Sequence, residues 1–108
     1  SFAAAPTVQC ELMYNGPSDF SRGDEVSITS TGTTSVNHGF TLNAKLTRIC
    51  AADAPDRCTD NYTLDVSISK NGSKSSLSVT VNESKRHDRY SSALDVADEE
   101  GFVNCDVE

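Results

Sequence analysis

Apolar residues recur at every second position almost from one end of this chain to the other. Val8, Cys10 and Leu12 alternate with Gln9 and Glu11, and Val26 and Ile28 with Glu25 and Ser27. Phe40, Leu42, Ala44 and Leu46 alternate with Thr41, Asn43 and Lys45. Tyr62 to Ile68, Leu77 to Val81, Leu94 to Val96 and Val103 to Val107 repeat the pattern. Successive side chains of a strand point to opposite faces, so each segment reads as a strand with one apolar face; no segment carries the 3.6-residue stripe of a helix. Seven such strands, separated by Gly, Pro, Asn and Asp, predict an all-β fold: about seven antiparallel strands in an immunoglobulin-like β-sandwich. A single domain over 7–108 is expected, behind a flexible mature N-terminus over 1–6. The longest irregular stretches are expected at 14–23 and 50–61.

Two hairpins can be registered. Asn71-Gly72 suits a type I′ turn, in which both central residues need positive φ. With these two as the loop, Val66 faces Leu77, Leu64 faces Val79 and Tyr62 faces Val81, which puts every apolar residue on one face. The second hairpin is expected to use a four-residue loop, Asp98–Gly101, setting Val96 against Val103 and Leu94 against Cys105. Gly101 would supply a left-handed position there.

Leu, Ile, Val and Phe number only 22 and there is no Trp, so apolar burial has little surplus over chain entropy and cross-links matter. The four cysteines, Cys10, Cys50, Cys58 and Cys105, form an even set in a small domain, which points to disulfides and an oxidising compartment, secreted or periplasmic. Their spacing lacks the close pairs of a zinc site, and no cofactor is implied. Three pairings are possible. Alternation places Cys10 and Cys105 on buried faces, and Glu11 and Asp106 flank them with negative charge, the opposite of a reactive thiol's surroundings. Cys10–Cys105 and Cys50–Cys58 are therefore expected. The start, SFAAAPTVQC, fits either the residue of a cleaved signal peptide or an arbitrary chain edge. No window approaches the ~18 apolar residues of a membrane span.

A net charge of −7 disfavours nucleic acid and favours, if anything, a cationic partner. Arg22-Gly23-Asp24 is the tripeptide that adhesion ligands present, a cation and a carboxylate separated by a flexible glycine. Asp53, Asp56, Asp60 and Asp98, Glu99, Glu100 gather carboxylates in two loops, without the spacing of a calcium loop. His38 and His87 lie in connections beside no nucleophile, and no catalytic or phosphate-binding motif occurs, so no enzyme is expected. Residues 85–89, KRHDR, read as a solvated turn. Asn61, Asn71 and Asn82 head glycosylation sequons, Asn71 at a turn tip. SSLSVTV, residues 75–81, is nearly uncharged, and at a sheet edge it could accept an extended peptide.

The early VQCEL strand, and RYSSALDV followed by Cys105, resemble small periplasmic immunoglobulin-like proteins that hold curli amyloid subunits in check. That resemblance implies an anti-aggregation role. Small immunoglobulin-fold protease inhibitors share the length, without their binding-loop motifs here.

The expected function is therefore a non-catalytic protein-binding module, such as an inhibitor, chaperone-like protein or surface-assembly component. Its partner would be a protein, cationic or an extended peptide, met through loops or an edge strand. Arg22, Gly23, Asp24, Asp53, Asp56 and Arg57 are the candidate binding residues. Adhesion through Arg22-Gly23-Asp24, a calcium-dependent module and the curli-inhibitor-like role are the alternatives.

Overall fold

The computed structural model describes residues 5–108. The strands are β1 (Val8–Asn15), β2 (Phe20–Ser21), β3 (Glu25–Ser27), β4 (Thr33–Asn37), β5 (Phe40–Ala51), β6 (Ala54–Lys70), β7 (Ser73–Val81), β8 (Arg89–Val96) and β9 (Glu99–Val107). Of the expected N-terminal extension, residues 1–4 lie outside the described residues, and Pro6 is buried.

The strands form two antiparallel sheets packed as a sandwich. In one, β1 has β2 and β3 on one side and β9 on the other, with β8 beyond; the second runs β4-β5-β6-β7. Apart from β2 and β3, which both lie beside β1, strands consecutive in sequence pair within a sheet or meet where the chain passes between the sheets, and β9 returns to β1. This is a meander rather than the Greek key of immunoglobulin domains. The likeness to that family goes no further than size and two-layer packing.

Alternation decides which side chains fill the space between the sheets. Val8, Cys10, Leu12 and Tyr14 of β1 and Val103, Cys105 and Val107 of β9 face Phe40, Leu42, Ala44 and Leu46 of β5 and Leu64, Val66 and Ile68 of β6. Cys10 and Cys105 stand directly opposite each other in the β1–β9 ladder and form a fully buried disulfide. Cys50 and Cys58 are likewise opposite in the β5–β6 ladder and form the second.

Nine strands replace the seven expected. The short β2 is one addition, and β4 is the other. Its inward positions are Thr33, Ser35 and Asn37, while its one apolar residue, Val36, points outward and is 65% exposed. An edge strand that buries no apolar face leaves no alternation to read. The stretches 14–23 and 50–61 are also less irregular than expected, because β1 continues to Asn15 and β5 and β6 run through most of the second.

The Asn71-Gly72 hairpin has the expected register, Val66 opposite Leu77, Leu64 opposite Val79 and Tyr62 opposite Val81. Both central residues have positive φ, 50° and 80°. The β8–β9 hairpin differs. Its loop is only Ala97-Asp98, so Val96 faces Glu99, Leu94 faces Gly101 and Tyr90 faces Cys105. The four-residue slip is even and keeps every side chain on its expected face. The shorter loop pairs all of β8, and the positive φ falls on Ala97, at 55°, not on Gly101. Gly101 serves a different need. A Cβ there would lie 2.4 Å from the Phe40 ring, so the glycine makes room for the largest fully buried side chain.

Gly101→Ala is therefore expected to destabilise the fold by roughly 1–3 kcal/mol through overpacking, read as a lower denaturation midpoint. Replacing Cys10 and Cys105 by Ala should remove about 4–5 kcal/mol, the entropy of closing a loop of nearly the whole chain, and leave little folded protein at 37 °C.

Candidate functional site

The most distinctive surface comes from a mismatch of strand lengths. β4 pairs only with Phe40–Ala44 of β5, and β7 only with Tyr62–Lys70 of β6. Beyond those limits β5 and β6 pair only with each other; two further hydrogen bonds reach them from outside, the Leu46 N–H donating to the Thr29 carbonyl at 3.1 Å and Asn82 Nδ2 donating to the Asn61 amide oxygen at 3.0 Å. Residues 47–61 therefore form a two-stranded arm leaving one end of the sandwich, and the molecule extends 51 Å along its long axis against 27 and 17 Å across. No residue of the arm is buried.

An isolated two-stranded hairpin is marginal in water because it has no core to bury. Here cross-strand bonds substitute. The Cys50–Cys58 disulfide joins the strands, Arg48 Nε donates to the Thr59 carbonyl (2.8 Å), and Thr59 Oγ1 donates to the Ile49 carbonyl (2.9 Å). Arg48 also pairs with Asp60 at 3.4 Å and lies over the Tyr62 ring. The ladder shifts register on both sides of Cys50, so the arm is bulged rather than flat. Asp53 sits at the Ala52-Asp53 tip, and Asp56 and Arg57 are exposed on the returning strand.

Arg22, Gly23 and Asp24 lie elsewhere, along the edge of the other sheet. Arg22 makes a two-pronged pair with Glu11 at 2.8 and 3.0 Å, which holds the Glu11 carboxyl below its usual range. Gly23 crosses so close to β1 that a Cβ would lie 2.3 Å from the Leu12 carbonyl oxygen. Asp24 is exposed. The tripeptide thus runs against β1, with its cation engaged. Beside it Arg89 pairs with Asp106 at 2.7 Å, and these residues border a shallow polar cleft of about 220 Å³. The structure does not bring residues 22–24 together with residues 53–57.

A second cluster, which the motifs did not reveal, closes the end opposite the arm. Glu99 accepts from Tyr14 Oη (2.8 Å) and from Lys70 Nζ (2.7 Å), and Lys70 also donates to the His38 carbonyl. The His38 ring stacks flat on Tyr14 at 3.9 Å, with Nε2 2.9 Å from Asp19 and Nδ1 2.8 Å from the Asn37 amide oxygen. Asn37 is fixed in turn, donating to the carbonyls of Leu12 and Ser21. The hydrogen bonds from Lys70 and then Tyr14 lower the Glu99 carboxyl's pKa, and the same carboxylate raises that of the Tyr14 phenol. Period two held the clue: Lys70 is in phase with Leu64, Val66 and Ile68, and Glu99 with Val103 and Cys105. Both charges are therefore inward at the same end. Next to them Asp95 faces Glu100 across the β8–β9 ladder, and burial, then Asp95, raises the Glu100 pKa. Among the described residues no three His, Cys, Asp or Glu side chains converge to hold a metal ion. Nor is any helix there long and apolar enough to cross a membrane.

Comparison of the chain with family models, curated proteins and solved structures yields no significant match.

The two neighbouring glutamates give opposite pH signatures. A raised folded pKa means that ionised Glu100 opposes folding once the pH exceeds the ordinary value near 4.5. Glu100→Gln should then raise the melting temperature at pH 7 by about 1–4 °C, with the gain vanishing below pH ~4. A lowered pKa means that Glu99 stabilises above about 4.5, and loses that contribution as pH falls through its folded value. Glu99→Gln should lower the melting temperature at pH 7, and the deficit should shrink in acid. Thermal melts across pH check both signs.

Proposed function

We propose that this protein is a non-catalytic recognition module of an oxidising compartment, secreted or periplasmic, that engages another protein with the arm spanning 47–61. One observation carries the reading: fifteen residues, none of them fully buried, are nevertheless held as a defined shape by a disulfide and cross-strand bonds. The sandwich core does not need this extension, whose residues contribute no buried side chain to it. A rigid projecting hairpin lowers the ordering cost that a flexible loop would incur on binding. Its outer edges also offer backbone groups to an extended segment of a partner. Two disulfides suit an oxidising compartment, and the acidic chain favours a cationic partner.

The test offers the protein to a panel of secreted proteins and cationic peptides and compares two arm variants. In one, residues 49–61 are replaced by Asn-Gly, closing Arg48 against Tyr62 as a two-residue hairpin. In the other, Cys50 and Cys58 become Ser. Binding by the native chain should disappear in the shortened variant and weaken roughly 10–100-fold in the double serine variant, where the arm must be ordered on binding. No binding by the native chain, or equal binding without the arm, sinks the proposal.

A further inference from the structure

The two long seams of the sandwich are not alike. Along the seam beside β3 and β4 the chain crosses between sheets and bonds to both: Ile28 N–H donates to the Val8 carbonyl, and Leu46 N–H to the Thr29 carbonyl. Along the opposite seam β7 and β8 are both edge strands, and among the described residues no backbone hydrogen bond joins them. A single hydroxyl contact, Ser75 to Ser92 at 2.9 Å, spans it. The apolar residues that line this seam, Leu77, Val79, Tyr90, Leu94 and Val96, pack against the core but are only partly buried.

The β7 edge is bare. It has nine residues, a continuous register without a bulge, no proline and one charge, Lys74. Proteins normally blunt such an edge with charges, prolines or bulges because it templates strand pairing. Its free groups follow from the hairpin. A two-residue loop makes Lys70 and Ser73 a hydrogen-bonded pair, and hydrogen bonding alternates thereafter. The backbone N–H and C=O groups of Lys74, Ser76, Ser78 and Thr80 therefore point away from β6, and all four residues are exposed.

Charge is divided between the layers in a way that singles out a partner. Residues 33–81, which hold the β4–β7 sheet and the arm, contain five Lys or Arg and four Asp or Glu. The remainder contains four cations against twelve carboxylates and so carries the whole negative excess. Two copies meeting along β7 approach through their nearly neutral sheets, with little of the repulsion that their net charge imposes elsewhere.

We propose that β7 pairs antiparallel with β7 of a second copy, about a two-fold axis at Leu77, joining the two four-stranded sheets into one of eight. Leu77 is the middle residue of Ser73–Val81, so the strands overlap completely. Lys74 then exchanges hydrogen bonds with Thr80 of the other copy, and Ser76 with Ser78, which uses every outward group named above. The two Lys74 lie at opposite ends. On the inner face Leu77 meets its counterpart, and the half-buried lining of each open seam is turned toward that of the other. The contact is isologous and closed, as a two-fold dimer requires. It goes beyond the recognition role of the arm, which takes no part in it.

Sedimentation velocity on a concentration series up to roughly 1 mM decides the matter, since a small interface of this kind should have a dissociation constant of about 10–100 µM. The native chain should shift from monomer to dimer. Ser76→Pro should remain monomeric, because the proline removes an outward N–H and leaves the β6–β7 ladder intact. The same result is expected of Ser76→Lys with Ser78→Lys, which brings like charges together across the axis. That variant replaces the proline should the latter melt as an unfolded chain. The arm-shortened variant should still dimerise. A native chain that stays monomeric throughout, including one that takes up an unrelated extended peptide on β7 instead, overturns the proposal. So does a dimer that persists in the β7 variants or is lost with the arm.

Discussion

The contact on which the structure rests is the pairing of β1 with β9, locked by Cys10 and Cys105. Their sequence separation of 95 makes this the most demanding closure in the molecule, because bringing the two ends together costs chain entropy that no local contact repays. Once made, it turns a linear meander into a two-layer sandwich. It also places both sulfurs in the core, where they pack as apolar atoms beside Val8, Leu12, Val103 and Val107. With so little Leu, Ile, Val and Phe to bury, a covalent bond at that position offsets a cost that the core alone meets only narrowly.

Closing the meander there determines how the remaining edges are managed. One seam is sewn up by residues 28 and 29, which bond to both layers. The other is left with two edge strands and partly exposed apolar side chains. The end carrying the short hairpin turns is sealed by polar groups instead of apolar ones, since Tyr14, Lys70 and Glu99 point inward where the core tapers out. The opposite end carries β5 and β6 past their neighbours. The molecule thus has a stapled, coreless arm, a bare edge and a charged closure, each on a different side. The first two are the surfaces proposed to meet other chains.

Much of this could be read from residue order. The period of two defined the buried faces, and Asn71-Gly72 set a register that leaves no freedom, since a one-residue slip would turn Val66, Leu64 and Tyr62 outward. The same parity kept Cys105 buried although the β8–β9 loop was two residues shorter than expected: an even slip preserves faces. What escaped reading is equally specific. β4 turns Thr33, Ser35 and Asn37 inward and so shows no apolar alternation. Residues 50–61 look like loop because Ala, Asp and Pro dominate them, and they are strand only because a disulfide and Arg48 tie them to their partners. Gly101 resembles a turn glycine, yet its role is to clear space for Phe40, a residue 61 positions away.

Sequence alone specifies which side of each strand faces in, because that depends on a two-residue repeat and on local turn chemistry. It also specifies that Cys10 and Cys105 are structural, because their phase and acidic neighbours are written beside them. The order of strands in the sheets, the unequal seams, the length by which β5 and β6 outrun β4 and β7, and the meeting of Tyr14, His38, Lys70 and Glu99 were decided by the fold. Each depends on which distant segments pair, and pairing between distant segments leaves no periodic trace in either of them.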